Sequence, residues 1–241
     1  MKRLAFETAA YACSVALECD GEVHQRFELA PRRHGELLLP WADTLMAEAG
    51  IQRQQLDGIV LSRGPGSFTS LRLGVSAGAA IAFALDIPVF AVSSLQALAW
   101  EAAVKHQQRH IWAALDARMG EVYCAAYGFQ TMPVADNALN HQPPAMLADE
   151  ALLTPAQCVS NETPPRVESN QWFGAGNGFA NDDLQLATQM GARLQAHDAD
   201  CWPSARALLA LADSVAGIAA EQFSPVYLRE RVADKPKSGK S

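Results

Sequence analysis

The fold follows from residues 56–98, which read LDGIVLSRGPGSFTSLRLGVSAGAAIAFALDIPVFAVSSLQAL. The apolar residues 59–61 are typical of a buried strand, and a glycine-rich turn, residues 64–67, comes soon after them. The turn leads into a long helix, predicted over residues 68–85, and a second strand follows at residues 89–92. Because a strand, a helix and a strand follow one another, we expect two parallel strands joined by a right-handed crossover.

The predicted helix carries a stripe that has almost no side chain. Gly74, Gly78 and Ala82 are spaced four residues apart, so they lie on one face of the helix. Each interior glycine costs a helix roughly 1 kcal/mol relative to alanine, so the stripe predicts that another element packs closely against it. Two alternatives are open from the sequence. The neighbour is either internal, such as a helix predicted over residues 35–49, or the surface of a second protein.

The composition indicates a globular protein with a substantial core. The chain has 241 residues, of which 49% are hydrophobic and 19% charged. Such a chain forms one large domain or two modest ones. No run of eighteen apolar residues is uninterrupted, because Arg72 and Asp86 lie in the longest candidate. The N-terminus also lacks the apolar core of a signal peptide, so we expect a cytoplasmic protein that does not enter a membrane.

The charge and the cysteines narrow the class of protein further. Five cysteines without a CxxC pair fit reduced thiols. A net charge of −7 excludes the general basic surface of a primary nucleic-acid-binding protein. Basic residues cluster only in the tail after Leu228, which is either merely solvated or the part that touches RNA. In the second case we expect the contacts to come mainly from Arg229, Arg231, Lys235 and Lys237.

The order of the predicted elements indicates two lobes. Three strands, residues 3–8, 12–18 and 23–29, precede the first helix, and the tight turn Asp20-Gly21 joins the second strand to the third. This pattern predicts an α/β protein of the actin-like, sugar-kinase-like class with a reduced second lobe. We place the N-terminal, partner-binding lobe at residues 1–107 and the C-terminal lobe at residues 108–241. Within the latter we expect an irregular segment at residues 131–170, a last helix from residue 203 to about 222, and the basic tail.

A candidate phosphate or nucleotide site lies at the glycine-rich turn. Backbone N–H groups before a helix N-terminus suit phosphate, and acidic or basic residues end two of the neighbouring strands. The candidate residues are Glu7, Thr8, Gly64, Gly66, Ser67, Thr69, Asp116 and Arg118. The turn is not a Walker A loop, since no GxxxxGK[ST] occurs. A purely structural turn is therefore the alternative, and Asp116 and Arg118 either face the cleft or pair with each other.

No catalytic set accompanies this candidate site. The sequence has neither a GxSxG motif for a serine nucleophile nor an HExxH motif for zinc. His106 and His110 are four residues apart, but they straddle a helix end and a strand start, so we expect no metal site. A cleft-type fold without catalytic residues is typical of a binding subunit.

Three stretches resemble one known family. GPGSFTSLRLG at residues 64–74, FETAAYACSVAL at 6–17 and ALDARMGEVY at 114–123 are similar to the bacterial TsaB (YeaZ) family. The chain departs from the family pattern at Glu7, where aspartate is common, and at Ser70, where glycine is common. The resemblance implies a non-catalytic subunit in the synthesis of the threonylcarbamoyl modification of a tRNA adenosine.

The resemblance also implies partners and their places. The catalytic paralogue TsaD is the expected main partner, TsaE docks onto the pair, and tRNA is reached through the complex. A homodimer is expected when the partner is missing. No cofactor is bound firmly, and ATP or ADP is expected only at the interface of the complex. The interface residues that we predict are Leu38, Trp41, Leu45, Leu71, Gly74, Val75, Gly78 and Ala82.

Two other functions remain open from the sequence. One is an ATP-dependent phosphotransferase or ATPase, in which Glu7, the turn at residues 64–69 and Asp116 do the chemistry. The other is a self-associating interaction protein unrelated to tRNA. The absent catalytic set weighs against the first, and the specific GPGSFT and LRLG motifs weigh against the second.

Overall fold

The computed structural model describes residues 1–134, 142–159, 172–180 and 185–229. The first half of the chain contains β1 (Arg3–Glu7), β2 (Ala12–Cys19), β3 (Glu22–Leu29), α1 (His34–Glu48), β4 (Gly58–Ser62), α2 (Phe68–Leu85), β5 (Val89–Val92) and α3 (Ser94–His106). The second half contains β6 (His110–Arg118), β7 (Glu121–Gly128), β8 (Ala145–Leu153), α4 (Pro155–Cys158), β9 (Trp172–Ala175), α5 (Leu186–Met190), β10 (Leu194–Asp198), α6 (Ala205–Leu211) and β11 (Gly217–Ile218).

The strands form two sheets with helices on their faces. The first sheet has the order β11-β5-β4-β1-β2-β3, and the second has the order β10-β9-β6-β7-β8. Strands β1, β4 and β5 are parallel, whereas β2 and β3 are antiparallel to their neighbours. One core cluster joins α1 and α2 to the outer face of the first sheet, and a second cluster places α3 and α6 between the two sheets. The two-lobe prediction therefore holds at the level of the sheets.

The strand–helix–strand unit forms as the sequence predicts. Helix α2 begins at Phe68 and ends at Leu85, and the parallel strands β4 and β5 flank it. Asp86 follows the helix in the left-handed conformation, with φ 53°. The hairpin between β2 and β3 likewise has positive φ at both turn residues, 52° at Asp20 and 90° at Gly21, as a type I′ turn requires.

The C-terminal half differs from the prediction in two places. Strand β8 lies inside the segment that we expected to be irregular, and it pairs with β7. Residues 135–141 and 160–170 of that segment, and residues 230–241 of the basic tail, lie outside the described residues. The last long helix is also wrong, since α6 ends at Leu211 and the chain then returns to the first sheet, where β11 pairs with β5.

This return brings α6 and the residues after it into contact with the first two strands. Arg3 on β1 is 1% exposed, and its guanidinium forms ion pairs with Glu18 on β2 and with Asp213, just after α6. Helix α6 is also anchored from the first sheet, because the Ser14 hydroxyl accepts a hydrogen bond of 3.0 Å from the backbone N–H of Ala205. Residues 205–218 thus complete the first sheet, although they lie within the range predicted as the C-terminal lobe.

The glycine stripe of α2 packs against the first sheet. A Cβ atom on Gly74 would lie 2.5 Å from Oγ1 of Thr8, and one on Gly78 would lie 2.4 Å from Cδ2 of Leu61. Ala82 is 0% exposed. The internal alternative is therefore correct, but the neighbour is the sheet, and the assignment of the stripe to a partner interface is wrong.

Three leucines of the predicted interface are buried as well. Leu38 and Leu45 of α1 and Leu71 of α2 are at most 2% exposed and belong to the core of the chain itself. Trp41 and Val75 are half-buried. Small or apolar residues at helical spacing identify the face that is in contact, but this spacing is the same whether the contact is with a sheet or with a partner.

Candidate functional site

The glycine-rich turn is held against the end of β1. The backbone N–H of Ser67 donates a hydrogen bond of 2.7 Å to the carbonyl oxygen of Ala9. A Cβ atom on Gly66 would lie 2.2 Å from that same oxygen, so glycine is required there for internal packing. Gly64 has φ 89°, and its N–H donates to the Ser62 hydroxyl at 3.3 Å. Two N–H groups of the turn thus bond within the protein and are not offered to a phosphate.

Glu7 and Thr8 lie beneath the turn. Thr8 is 1% exposed, and its hydroxyl donates a hydrogen bond of 2.8 Å to the carbonyl oxygen of Ser70 at the start of α2. Glu7 is fully buried, and its Oε1 accepts a hydrogen bond of 2.6 Å from the N–H of Ala9. Both residues therefore connect β1 to neighbouring backbone and are closed to a ligand.

Burial dominates the ionisation of Glu7. Desolvation raises the pKa of its carboxyl to about 7, and the hydrogen bond from the Ala9 N–H and the nearby hydroxyls of Ser62 and Ser94 offset part of this effect. The Oε2 atom nevertheless has no partner of ordinary hydrogen-bond geometry among the described residues. The hydroxyls of Ser62 and Ser94 are hydrogen-bonded to each other. Near neutral pH this carboxyl holds a proton in a large part of the molecules.

Asp116 and Arg118 face the turn across a small cleft between the two sheets. The cleft has a volume of about 80 Å³, and its lining includes Gly66, Ser67, Asp116, Arg118 and Tyr11. Both predicted alternatives are realised, because the two charged residues line the cleft and also pair with each other, with Nη1 and Oδ2 3.2 Å apart.

An arginine and a tyrosine bridge this cleft. The Arg118 guanidinium lies 5.4 Å from the centroid of the Tyr11 ring and hydrogen-bonds to its hydroxyl. Asn177, which follows β9, accepts a hydrogen bond of 3.0 Å from the N–H of Asp116. Neither Tyr11 nor Asn177 is predicted from the sequence as a site residue. Nothing in the pattern marks Tyr11, and Asn177 stands in the glycine-rich segment 174–178. Small-molecule sites usually measure 300–1,000 Å³, so the bridged cleft has no room for a nucleotide.

A larger cavity lies on the other side of the turn. It measures about 340 Å³, and its lining includes Phe68, Arg72, Tyr123, Tyr227 and Arg229. The Arg72 guanidinium lies 3.7 Å from the centroid of the Phe68 ring, and its Nε donates a hydrogen bond of 3.0 Å to the Tyr227 hydroxyl. Aromatic faces beside a cation give this cavity, and not the cleft, the size and chemistry of a small-molecule site.

The outer face of α1 and α2 is an exposed apolar surface. Leu73 and Phe83 of α2 are 42% and 64% exposed, and Leu39 of α1 is 44% exposed. Among the described residues α2 is the one helix that is long and apolar enough to cross a membrane, yet only 22% of it is buried. The glycine stripe lies on the side of α2 that faces the first sheet, whereas Leu73 and Phe83 are exposed. Several exposed large apolar side chains on two helices that contact each other are typical of an interaction site.

The described part of the chain holds no group of three or more histidine, cysteine, aspartate or glutamate side chains that could bind a metal. The candidate site is therefore built from a bridged cleft, a cavity lined by arginine and aromatic residues, and an apolar helical face.

Comparison with known proteins identifies the family. The chain is 35% identical to the "tRNA threonylcarbamoyladenosine biosynthesis protein TsaB" of Escherichia coli K12, over the whole of both chains. A protein of the same name in Haemophilus influenzae is 31% identical over 98% of this chain and 97% of that protein. The chain belongs to the TsaB family.

Solved structures agree with this membership of the TsaB family. The structure titled "YeaZ from Pseudomonas aeruginosa" matches with a TM-score of 0.80 and 36% identity, over 94% of this chain and 99% of that one. The family model described as "TsaD: tRNA N6-adenosine threonylcarbamoyltransferase" matches residues 22–233. The predicted TsaB (YeaZ) resemblance and the actin-like, sugar-kinase-like fold are both confirmed.

Proposed function

We propose that the chain is a non-catalytic subunit in the biosynthesis of threonylcarbamoyladenosine in tRNA, and that it binds the transferase TsaD. The family membership supports the pathway. The match to the TsaD family model further indicates that the two proteins share a fold, so the partner is a paralogue. The observation that carries the binding role is the exposed apolar face formed by Leu39, Leu73 and Phe83.

This face replaces the glycine stripe as the proposed interface. Arg72 is the single charged residue between Phe68 and Leu85, so α2 presents an almost uncharged surface to a partner. The exposed acidic residues of this region, Glu36, Asp43 and Glu48, lie on α1. Burying apolar side chains on association contributes roughly 25 cal/mol per Å² of surface removed from water. Trp41 of α1 and Val75 of α2 are half-buried, and both remain proposed interface residues.

The small size of the cleft between the two sheets supports a non-catalytic role. Arg118 and Tyr11 bridge it, Glu7 is buried behind the turn, and the remaining space of about 80 Å³ is too small for ATP. We therefore disfavour the phosphotransferase or ATPase alternative. Any ATP or ADP binds, in this proposal, where a partner closes the 340 Å³ cavity beside the start of α2.

The remaining assembly follows from the same surface. TsaE docks onto the pair, and tRNA is bound by the complex and not by this acidic chain alone. Without TsaD the apolar face is free to pair with a second copy. All five cysteines are free thiols, which fits our placement of the protein in the cytoplasm.

Binding of purified TsaD, measured by titration calorimetry, tests the proposal. We expect Leu73→Glu and Phe83→Glu each to weaken TsaD binding at least tenfold while the Tm of the isolated chain changes little, because both side chains are already exposed. Phe27→Glu is the matched control. Phe27 is 43% exposed on β3, at the far edge of the first sheet, so this variant should bind TsaD normally.

Two results would contradict the proposal. Normal TsaD binding by both glutamate variants would remove α2 from the interface. Equal loss of binding by Phe27→Glu would show that the effect comes from solubility or charge and not from the helical face.

A further inference from the structure

Two buried cysteines lie in contact in the second lobe. Cys124 is on β7 and Cys158 ends α4, and their Sγ atoms are 3.8 Å apart. They are 2% and 1% exposed and belong to the core cluster on the outer side of the second sheet. A disulfide bond needs an S–S distance of about 2.0 Å, so the two sulfurs need to approach by less than 2 Å. We propose that Cys124 and Cys158 form a peroxide-sensitive dithiol that closes to an intramolecular disulfide.

The two thiols have different chemical roles. The thiols of Cys124 and Cys158 are hydrogen-bonded to each other, and this contact lowers the pKa of Cys158. The same bond, together with burial, raises the pKa of Cys124. Cys158 also ends the single-turn helix α4, the element that opens to admit the oxidant. We therefore take Cys158 as the sulfur that attacks the oxidant, in its nucleophilic thiolate form. Cys124 is the sulfur that resolves the product.

The reaction balances with hydrogen peroxide as the oxidant. The Cys158 thiolate attacks one peroxide oxygen, an S–O bond forms, the O–O bond breaks and hydroxide leaves. The Cys124 sulfur then attacks the resulting sulfenic acid, so that the S–S bond forms, the S–O bond breaks and water leaves. Overall two thiols lose two electrons and two protons, and the peroxide becomes two molecules of water.

A short capped turn gives the oxidant its access. Helix α4 is a single turn, held at its start by hydrogen bonds between Thr154 and Gln157. Such a turn opens at a lower free energy than a strand inside a sheet, and peroxide is small enough to use a transient opening. Once closed, the disulfide ties β7 to α4 across the intervening strand β8.

The other three cysteines provide an internal comparison. Burial raises the pKa of Cys13 and of Cys201 to about 12, and it also raises the pKa of Cys19. None of these three thiols has a hydrogen bond to another thiol among the described residues. We therefore expect all three to remain reduced at peroxide concentrations that oxidise the pair.

Peptide mapping of the full chain tests the proposal. The protein is treated with hydrogen peroxide, alkylated in denaturant and cut after glutamate, because trypsin leaves both cysteines in the single peptide of residues 119–166. We expect three alkylated cysteines and a linked pair of peptides, 2 Da lighter than their sum, that contains Cys124 and Cys158. Five alkylated cysteines, or a different linked pair, would overturn the proposal.

Thermal unfolding and single variants extend the test. Closing this loop should raise the Tm of the peroxide-treated wild type by roughly 5 °C or more relative to the reduced protein. Cys158→Ser should lose this rise. Cys124→Ser should accumulate a sulfenic acid on Cys158 that a dimedone probe labels. A treated Cys158→Ser variant that gains the same Tm increase would rule out the pair as its cause.

Discussion

A Cβ atom on Gly78 would lie 2.4 Å from Cδ2 of Leu61, so α2 and β4 meet at a point where no side chain fits between them. Real Cβ atoms essentially never lie closer than 3.0 Å to another heavy atom. Glycine is therefore required at residue 78 for α2 to pack this closely on the first sheet.

Gly78→Ala should destabilise the isolated chain by about 1–2 kcal/mol. Overpacking costs about 1–3 kcal/mol, and the better helix propensity of alanine returns up to about 1 kcal/mol. Urea unfolding measures the difference. Gly35→Ala is the matched control, because a Cβ atom there has Leu73 as its nearest neighbour at 4.0 Å. If Gly78→Ala is as stable as Gly35→Ala, the close contact of α2 with the sheet is wrong.

The stability of the chain should depend on pH through Glu7. Its carboxyl has a pKa of about 7 in the folded protein and 4.5 as the ordinary value, so the folded state binds more protons between these two pH values. Stability therefore falls as the pH rises from 4.5 through 7 and changes no further above that range. Glu7→Gln, which keeps the size and one acceptor oxygen, should remove this dependence.

Denaturant unfolding of both proteins at pH 5 and pH 8 measures the effect. Between pH 5 and pH 8 the wild type should lose roughly 3 kcal/mol of unfolding free energy that Glu7→Gln keeps, since one pKa unit corresponds to about 1.4 kcal/mol. A pH dependence that is the same in the two proteins would assign it to other groups.

The isolated chain should neither bind ATP firmly nor hydrolyse it. Arg118 and Tyr11 bridge the cleft, and the buried Glu7 has no access to a nucleotide. A phosphate-release assay and calorimetry with ATP and Mg²⁺ check this directly. Steady phosphate release that Glu7→Ala abolishes would favour the phosphotransferase alternative instead.

Weak binding of tRNA should depend on residues 230–241 and not on Arg229. The Arg229 guanidinium forms an ion pair with Glu121 at 2.7 Å and donates to the carbonyl oxygen of Ala117 at 3.0 Å. Because Arg229 is engaged within the chain, we now place the RNA contacts on the other basic residues of the tail. Deletion of residues 230–241, which include Arg231, Lys235 and Lys237, should reduce binding and its salt dependence.

Arg229→Gln provides the comparison. We expect it to bind tRNA like the wild type in a filter-binding assay at 50 mM and 200 mM salt, while its Tm falls slightly. Tight binding at physiological salt, or full binding after the deletion, would contradict the view that the complex supplies the RNA site.

The sequence predicted the bounds of single helices and strands better than it predicted which elements pair or pack with one another. Helix α2 and strand β5 begin and end where the pattern places them, because glycine, proline and serine mark both boundaries. Strand β8 was missed since its residues, AMLADEALL, favour a helix by intrinsic propensity, and only pairing with β7 makes them extended. Strand β11 has two residues and exists because β5 lies beside it.

The site was predicted in part for the same reason. The turn at residues 64–67 and the pair Asp116 and Arg118 do come together, because strand ends meet at one edge of the fold. The burial of Glu7 and Thr8 was not predictable, since it depends on how closely the turn approaches β1. The stripe of Gly74 and Gly78 indicated a close contact, but its spacing holds no information about which element makes it.

The pairing of β11 with β5 has a consequence for synthesis on the ribosome. Strand β5 ends at Val92, whereas its edge partner begins at Gly217, more than a hundred residues later. At typical translation rates the edge of the first sheet stays open for on the order of ten seconds, and Arg3 lacks Asp213 for longer, since 210 residues separate the two. We therefore expect a nascent chain halted near residue 200 to be recognised by chaperones, and the completed chain to be released from them.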